Sequence, residues 1–274
     1  MLKDNCKIIE NKKIAPGHWV MTLRSPAIAK SAKPGQFVQL LCADDSLDPL
    51  LPRPFSFLDA SGTDFSILYH VVGKGTELLS KSAKGESLRV LGPLGNGFSL
   101  GLQTADCRLQ TIMVGGGVGI PPLFHLAKTL LKNKSVSKNN IHVLLGARNK
   151  SLLLCENDFK KLGVKLGVAT NDGSKGVKGF VTDLMKLLMP SGPRLSGQGQ
   201  GRVYTCGPTP MLKAVSEICV KAKVLCEVSV EVPMACGFGA CLGCAISVKN
   251  EKGDQRFAIA CTEGPVFQAS SIQW

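Results

Sequence analysis

Four cysteines close to the C-terminal end constrain the local fold more than any other feature of this chain. Cys236, Cys241 and Cys244 form a C-x4-C-x2-C run, and Cys261 follows after sixteen further residues. Thiolates at this spacing hold the two irons of a plant-type [2Fe–2S] cluster. The spacing therefore predicts an iron–sulfur site, which would make the chain a one-electron carrier.

The residues between these cysteines suit such a site. Gly237, Gly239 and Gly243 alternate with the first three cysteines, and glycine lets a loop turn several backbone N–H groups toward sulfur. Zinc is the alternative, because four cysteines also form closed tetrahedral sites, usually from paired knuckles. Three ligands in one glycine-rich loop and an isolated fourth favour iron–sulfur over zinc, and both over a disulfide framework.

The composition is that of an ordinary globular protein. The 274 residues are 44% hydrophobic and 19% charged, which predicts two domains with a small appendage. The chain has no run of about 18 apolar residues, and its first residues lack the apolar segment of a secretory signal, so we expect neither a membrane span nor export. Eleven cysteines in such a chain indicate reduced thiols and a cytoplasmic location.

The net charge of +13 does not by itself predict nucleic-acid binding. The lysines are scattered without one dense basic block, and aromatic residues make up only 5% of the chain, which is poor for base stacking. A basic solvated surface that suits anionic dinucleotides and an acidic partner is the simpler interpretation.

The periodicity changes along the chain. Up to about residue 105, short apolar stretches separated by Gly and Pro predict a small antiparallel β-barrel, with strands at 19–23, 36–40, 65–72 and 87–91. One short helix, with Thr76 as its N-cap, is expected at 76–81.

Residues 106–225 instead alternate between strand and helix patterns, which predicts a parallel sheet. The expected strands are 111–114, 141–145, 164–169 and 202–206, and the expected helices are 123–131, one near Glu156, 180–188 and 208–222. The segment 191–201, rich in Ser and Gly, is expected to be a loop of this region. From 226 to 274 the chain returns to strands around the cysteine loop.

A glycine-rich turn follows the first strand of the α/β region. Gly115, Gly116, Gly117 and Gly119 lie where a strand gives way to a helix, so the backbone can approach a pyrophosphate at the helix N-terminus. The spacing is not G-x-G-x-x-G, so the usual dinucleotide fingerprint is absent. A tight turn of an ordinary α/β domain remains the alternative.

A second strand-to-helix junction carries Cys206, Gly207 and Pro208. Ligands gather at the carboxyl ends of parallel strands, which makes Cys206 a candidate cofactor contact, although a buried structural cysteine is equally compatible. In the barrel region, Arg53 lies between two prolines and could pair with phosphate, and Gly75 with Thr76 offers donors at a helix start.

These segments occur in the order found in a known superfamily. The barrel, Arg53-Pro54-Phe55-Ser56, Gly75-Thr76, the Gly115–Pro122 turn and Cys206-Gly207-Pro208 resemble the ferredoxin reductase superfamily, which joins an FAD-binding barrel to an NAD(P)-binding domain. The resemblance covers nearly the whole chain. The added run from Met234 to Cys244 makes the chain similar to electron-transfer subunits of NAD-dependent dihydroorotate dehydrogenase B.

The resemblance implies three domains: an FAD-binding barrel at 1–105, an NAD-binding domain at 106–225 and a [2Fe–2S] module at 226–274. It implies flavin contacts by Arg53, Pro54, Phe55, Ser56, Leu68, Tyr69 and His70, with Gly75 and Thr76 at the pyrophosphate. It also implies that the four C-terminal cysteines are the cluster ligands. Many superfamily members have Tyr in place of Phe55, so a phenol hydrogen bond to the flavin is missing here.

The resemblance further implies a relay in pyrimidine biosynthesis. A partner subunit with FMN would oxidise dihydroorotate, and electrons would pass through the cluster and FAD of this chain to NAD⁺ in a heterotetramer of two copies of each subunit. This chain alone is not expected to oxidise dihydroorotate. The alternatives are the small subunit of another flavin/iron–sulfur NAD(P)H oxidoreductase, linked to ferredoxin or sulfide, and a non-enzymatic zinc-binding basic module.

No acid–base constellation is expected, because hydride transfer between stacked rings depends on positioning. Ser56 and Cys206 are candidates for tuning the flavin and the nicotinamide. The histidines are expected to be structural except His70, which the resemblance places among the flavin contacts. Arg148 could meet a 2′-phosphate, yet the resemblance favours NAD over NADP.

Overall fold

The computed structural model describes residues 1–43, 48–100, 110–189, 201–250 and 252–274. The described residues form a closed barrel, a seven-stranded sheet and a two-stranded hairpin, and the last strand of the sheet follows the hairpin in the chain. The predicted fold class is confirmed. The expected loop at 191–201 lies, apart from its last residue, outside the described residues.

The barrel is antiparallel and closes in the strand order β1-β2-β5-β4-β3-β6. Its strands are β1 (Leu2–Ala15), β2 (His18–Arg24), β3 (Phe37–Leu40), β4 (Arg53–Ser61), β5 (Asp64–His70) and β6 (Ser87–Leu94). Two helices, α1 (Pro26–Ser31) and α2 (Lys74–Lys81), connect them. The sequence patterns missed β1 and β4. The outward side chains of β1 are mostly charged or polar, and only Cys6 and Ile8 are fully buried in the barrel core, whereas β4 fully buries only Phe57.

The second unit is a mostly parallel sheet in the order β10-β9-β8-β7-β11-β12-β15. Its strands are β7 (Thr111–Gly116), β8 (Ile141–Ala147), β9 (Lys165–Thr170), β10 (Val177–Lys178), β11 (Arg202–Cys206), β12 (Leu225–Ser229) and the antiparallel edge strand β15 (Val266–Gln268). The helices are α3 (Ile120–Lys132), α4 (Glu156–Leu162), α5 (Val181–Leu188) and α6 (Thr209–Lys221). The strand order reverses between β7 and β11, which is where open α/β sheets bind ligands.

The C-terminal segment does not form a separate layer. Strands β13 (Ala245–Lys249) and β14 (Gln255–Ile259) pair as a hairpin, whereas β12 and β15 belong to the α/β sheet. Phe37 of the barrel packs with Cys244 and Cys261. The boundaries at 105 and 225 therefore stay a prediction, since the 226–274 segment shares core with both other units.

Two expectations about local structure were wrong. The helix expected at Thr76 begins at Lys74, and its N-cap is Gly73. Thr76 is the third helical residue, and its hydroxyl accepts hydrogen bonds from the N–H groups of Val72 and Gly73. The hydroxyl thus caps the helix from inside, as in a capping box.

Among the described residues, no helix combines the length and the apolar character needed to cross a bilayer.

Helix α3 joins the two larger units. Lys128 pairs with Asp59 of β4 at 2.5 Å, and the ring of His125 meets Phe57 edge-on with centroids 6.3 Å apart. His125 is 4% exposed and its Nδ1 has no hydrogen-bond partner within the described residues. Burial lowers the pKa of His125 to about 4, with Asp59 opposing the shift and Lys128 adding to it.

This buried histidine predicts a loss of stability in acid. The unfolded chain protonates His125 near its ordinary pKa and the folded chain does not, so its contribution is complete above that pKa and is lost as the pH falls toward 4. Between about pH 7.5 and about pH 5 the free energy of unfolding should fall by about 2 kcal/mol from this group alone. Urea unfolding of wild-type protein and His125→Phe at both pH values measures it. Equal pH dependence in the two proteins would contradict the assignment.

Candidate functional site

A cleft of about 710 Å³ opens between the barrel and the carboxyl edge of the parallel sheet. Of the residues proposed from sequence, it is lined by Arg53, Pro54, Phe55, Ser56, Leu68, Tyr69, His70, Thr76, Gly119 and Cys206. Gly75, Gly115, Gly116, Gly117, Gly207 and Pro208 lie outside the lining. The cleft thus brings together both sets of candidate cofactor contacts.

Strand β4 forms the barrel wall of the cleft. Arg53 begins this strand, and its Nη1 donates to the backbone carbonyls of Leu51 at 2.7 Å and Pro52 at 3.3 Å. The guanidinium also lies beside the start of α2, because a Cβ placed on Gly75 would be 3.5 Å from Arg53 Nε. A cation at a helix N-terminus is a suitable arrangement for phosphate oxygens.

Strand β5 supplies the next side chains in alternation. Leu68 packs toward the α/β unit, whereas Tyr69 packs into the barrel core and donates its hydroxyl to Asn11 Oδ1 at 2.9 Å. Burial raises the pKa of Tyr69 above its usual range. Tyr69 therefore contributes ring surface and not a phenol donor. Its ring meets Phe55 edge-on with centroids 5.8 Å apart, and both residues line the cleft.

His70 lies at the exposed end of β5. Its ring stacks on His18 of β2 with centroids 4.3 Å apart and planes 3° from parallel. His18 is buried, and its Nδ1 is 2.7 Å from the carbonyl oxygen of Pro16. Burial and the neighbouring His18 lower the pKa of His70. A neutral, supported imidazole thus faces the cleft.

The two strand-to-helix turns of the α/β unit touch each other. Gly115 and Cys206 are paired in register on β7 and β11. A Cβ on Gly119 would lie 2.4 Å from the backbone nitrogen of Gly207, so only glycine permits this approach. The contact places Gly119 and Cys206 side by side on the cleft floor, although the two turns are nearly ninety residues apart in the chain.

The cleft also contains residues that sequence patterns missed. Ser229 and Glu231 line it next to Cys206. Burial, with a smaller contribution from the Glu231 carboxylate, raises the pKa of Cys206 to about 12, although a hydrogen bond with Ser229 opposes the shift. Glu231 is an exposed residue at the mouth of the cleft, but partial desolvation by the surrounding protein raises the pKa of its carboxyl group. The sequence offered one signal that Glu231 lies near the site: it follows β12 and precedes Cys236 by five residues.

The four cysteines form two neighbouring pairs. In the first, the N–H of Cys241 donates to Cys236 Sγ at 3.4 Å. In the second, the N–H of Cys261 donates to Cys244 Sγ at 3.4 Å. Burial opposes ionisation of Cys236, but N–H groups of Cys241, Phe238 and Ala240 outweigh it and lower its pKa to about 6. The loop therefore stabilises thiolate, the form that binds metal.

This arrangement fits a two-iron group better than a single ion. Among the described residues, no three or more His, Cys, Asp or Glu side chains are arranged to hold one metal ion. Four sulfurs in two adjacent pairs, with backbone N–H groups turned toward them, match a group that needs two thiolates on each of two irons. A closed zinc site would instead need all four sulfurs around one ion.

Comparison with known proteins agrees with this geometry. Residues 231–273 match the family model "Iron-sulfur cluster binding domain of dihydroorotate dehydrogenase B", and residues 113–217 match "Oxidoreductase NAD-binding domain". The dihydroorotate dehydrogenase B (NAD(+)) electron transfer subunit of Desulforamulus reducens is 38% identical over 272 residues, 98% of each chain. That of Caldanaerobacter subterraneus subsp. tengcongensis is 38% identical over 270 residues, also 98% of each chain.

This chain belongs to the family of dihydroorotate dehydrogenase B electron-transfer subunits. It is accordingly the NAD-linked electron-transfer subunit of an oxidoreductase, and its family name implies a catalytic partner subunit. The expected cofactors, FAD, a [2Fe–2S] cluster and NAD, are confirmed for the chain as a whole.

Solved structures support the fold. A structure of an NADH-dependent reduced ferredoxin-NADP oxidoreductase matches 99% of this chain and 90% of its own, with a TM-score of 0.81 and 32% identity. A ferredoxin NADP+ reductase from Neisseria gonorrhoeae matches 80% of this chain with a TM-score of 0.64, and at 14% identity it shows the fold alone.

Proposed function

We propose that this subunit passes electrons to NAD⁺. The electrons come from a partner subunit that uses FMN to oxidise dihydroorotate, and the two proteins form a heterotetramer of two copies of each subunit. One observation carries the proposal: the cleft that contains Arg53 and Cys206 continues to Met234, two residues before the first cluster cysteine. A single cleft therefore borders the candidate sites for flavin, nicotinamide and iron–sulfur. When bound, FAD exchanges single electrons with the cluster and hydride with NAD(H).

Within the barrel, Arg53 and the start of α2 would bind the flavin pyrophosphate, since they bring a fixed positive charge and helix N–H groups together. Pro54, Phe55, Leu68 and the supported ring of His70 would form apolar walls around the flavin. Tyr69 would stiffen this wall from behind, and Thr76 would hold the helix start in shape through its capping bonds.

On the opposite wall, the paired turns at Gly115–Gly119 and Cys206–Pro208 would bind NAD(H), with Gly119 and Cys206 nearest the nicotinamide. The raised pKa of Cys206 keeps its thiol neutral, so it would offer a soft contact without charge. Glu231 at the mouth of the cleft would orient the ring by hydrogen bonding. These assignments require positioning and no acid–base pair.

The cysteine pairs would divide the cluster, with Cys236 and Cys241 on one iron and Cys244 and Cys261 on the other. Cys244 and Cys261 are buried against Phe37, whereas Cys241 is exposed. The first pair therefore lies toward solvent and the second toward the cleft. Electrons would enter at the exposed side.

The partner would dock over the cysteine loop. Phe238 is 46% exposed and Leu242 is 60% exposed, each next to a cluster cysteine. Leu242 also has a φ of 58°, a conformation that is unfavourable for leucine. Two exposed apolar side chains in one loop beside the proposed cluster ligands support a protein contact at this place. The ten cysteines in the described residues are all free thiols. Because thiols stay reduced in the cytoplasm, this supports a cytoplasmic location.

Reconstitution with the partner subunit tests the function. The purified complex should contain flavin, iron and acid-labile sulfide and should reduce NAD⁺ when given dihydroorotate. A complex that holds these cofactors but reduces NAD⁺ only with reduced ferredoxin would assign the chain to the second candidate, a ferredoxin-linked oxidoreductase. The likeness to the ferredoxin-NADP oxidoreductase structure is the reason to include that substrate.

Ser56 provides a test of the flavin assignment. It lines the cleft on β4, opposite Phe37 in the β3–β4 register, where its hydroxyl could bond the flavin ring near N5. Loss of one neutral hydrogen bond of about 1 kcal/mol predicts that Ser56→Ala slows flavin reduction by NADH roughly fivefold. Anaerobic stopped-flow absorbance measures this rate, with Ser66→Ala on the outer barrel surface as the control. An unchanged rate removes Ser56 from the site.

A further inference from the structure

Gln39 carries hydrogen-bonding groups that the protein itself does not use. It lies in β3, where its backbone pairs with Pro54 of β4, and it is 1% exposed. Within the described residues, neither Nε2 nor Oε1 of its side chain has a hydrogen-bond partner. Burying a primary amide in this state is unfavourable. Its donor and acceptor are therefore available to a bound group.

The amide faces the cysteine loop. A Cβ placed on Gly237 would lie 2.6 Å from Gln39 Cγ and 2.7 Å from its Nε2. Gly237 directly follows Cys236 and has a φ of 80°, so the loop turns closely around the glutamine. Only a residue without a side chain allows both the conformation and the contact.

A second residue on the same face of β3 points to the same place. Phe37 is two positions before Gln39 and therefore shares its side of the strand. Phe37 packs with Cys244 and Cys261. This face of β3 thus covers the cysteine site from the first ligand to the last, and Gln39 is its polar member.

We propose that Gln39 donates a hydrogen bond from Nε2 to a sulfur of the cluster, and so positions the cluster and sets its potential. This inference rests on the proposed function, because it requires the cluster to be present. A donor at sulfur stabilises the more negative, reduced state and raises the reduction potential. Gln39 is then a positioning residue between β4, which carries the proposed flavin contacts, and the iron–sulfur site.

Two substitutions separate this role from packing. Gln39→Leu removes both polar atoms with little change in size, and Gln39→Met removes them while keeping an unbranched side chain of similar length. We expect the cluster midpoint potential, followed by EPR during redox titration, to fall by a similar amount in both variants, because both lose the donor although they pack differently. The flavin potential of both variants stays at the wild-type value.

The apoprotein supplies an independent readout. Gln39→Leu removes an unpaired buried amide, so its apoprotein should melt at a higher temperature than the wild-type apoprotein. The matched control is Gln36→Leu. The Gln36 amide already donates to Gly95 at 2.7 Å and accepts from Lys33 at 2.9 Å. This control should melt at a lower temperature and leave the cluster potential unchanged.

Iron and acid-labile sulfide are measured first in the wild-type protein. Their absence would overturn the proposed function itself. A wild-type protein with a full cluster and a Gln39→Leu variant of identical cluster potential would overturn this inference alone. A shift confined to the flavin potential would also overturn it and would assign the amide to the flavin.

Discussion

Replacing Cys241 with alanine should abolish electron transfer between this subunit and its partner while leaving NADH-driven flavin reduction in place. Cys241 is the exposed one of the four cysteines, and as a proposed ligand its thiolate would be lost in the variant, which would leave one iron without a second thiolate. The cleft residues that would bind flavin and nicotinamide do not include Cys241. The two half-reactions should therefore separate.

The measurement compares dihydroorotate-dependent NAD⁺ reduction by the complex with NADH-dependent reduction of ferricyanide. We expect the first to fall to background and the second to remain within about twofold of wild type. Cys6→Ala, in the barrel core, is the control for losing a cysteine as such. A Cys241→Ala complex that keeps both its iron content and its dihydroorotate-driven rate would contradict the ligand assignment.

Replacing Arg53 with alanine should weaken FAD binding more than any other single change in the barrel. A charged hydrogen bond to phosphate contributes about 1.5–3 kcal/mol, which corresponds to a rise in Kd of roughly 10- to 150-fold. The FAD dissociation constant of Arg53→Lys should lie between those of the wild type and Arg53→Ala, because an ammonium group keeps the charge but lacks the paired donors of a guanidinium. Titration of apoprotein with FAD, followed by quenching of flavin fluorescence, gives the dissociation constants.

The control for Arg53 is Arg24→Ala. Arg24 pairs with Asp64 at 2.8 Å on the outer surface of the barrel and is not part of the cleft. Its removal should leave the FAD dissociation constant unchanged. If Arg53→Ala binds FAD as tightly as wild type, the phosphate site must be assigned elsewhere.

Local features of the chain were predictable because their evidence lies within a few residues. The spacing of Cys236, Cys241 and Cys244 is a property of one loop, and the turn after β7 is written in consecutive glycines. The alternation of strand and helix patterns similarly predicted the parallel sheet. The error at Thr76 was also local: the same hydroxyl can cap a helix from outside or from its third residue, and only the backbone conformation of Gly73 distinguishes the two.

Long-range features were not predictable. The neighbourhood of Cys206, Ser229 and Glu231 exists because β11 and β12 are adjacent in the sheet and the following chain folds back along the cleft. The burial of Gln39 depends on the cysteine loop packing across β3, almost two hundred residues away in sequence. No periodicity in either segment records such a contact.

The sequence by itself determined the order of the barrel and the α/β sheet, the spacing of the four cysteines and the glycine turns, because chain connectivity and local backbone preference are enough to specify them. Only the tertiary structure decided which residues share the cleft, how the cysteines divide into pairs, and which buried polar group faces them. These depend on side chains brought together by packing between distant segments, and burial is a property of the assembled fold.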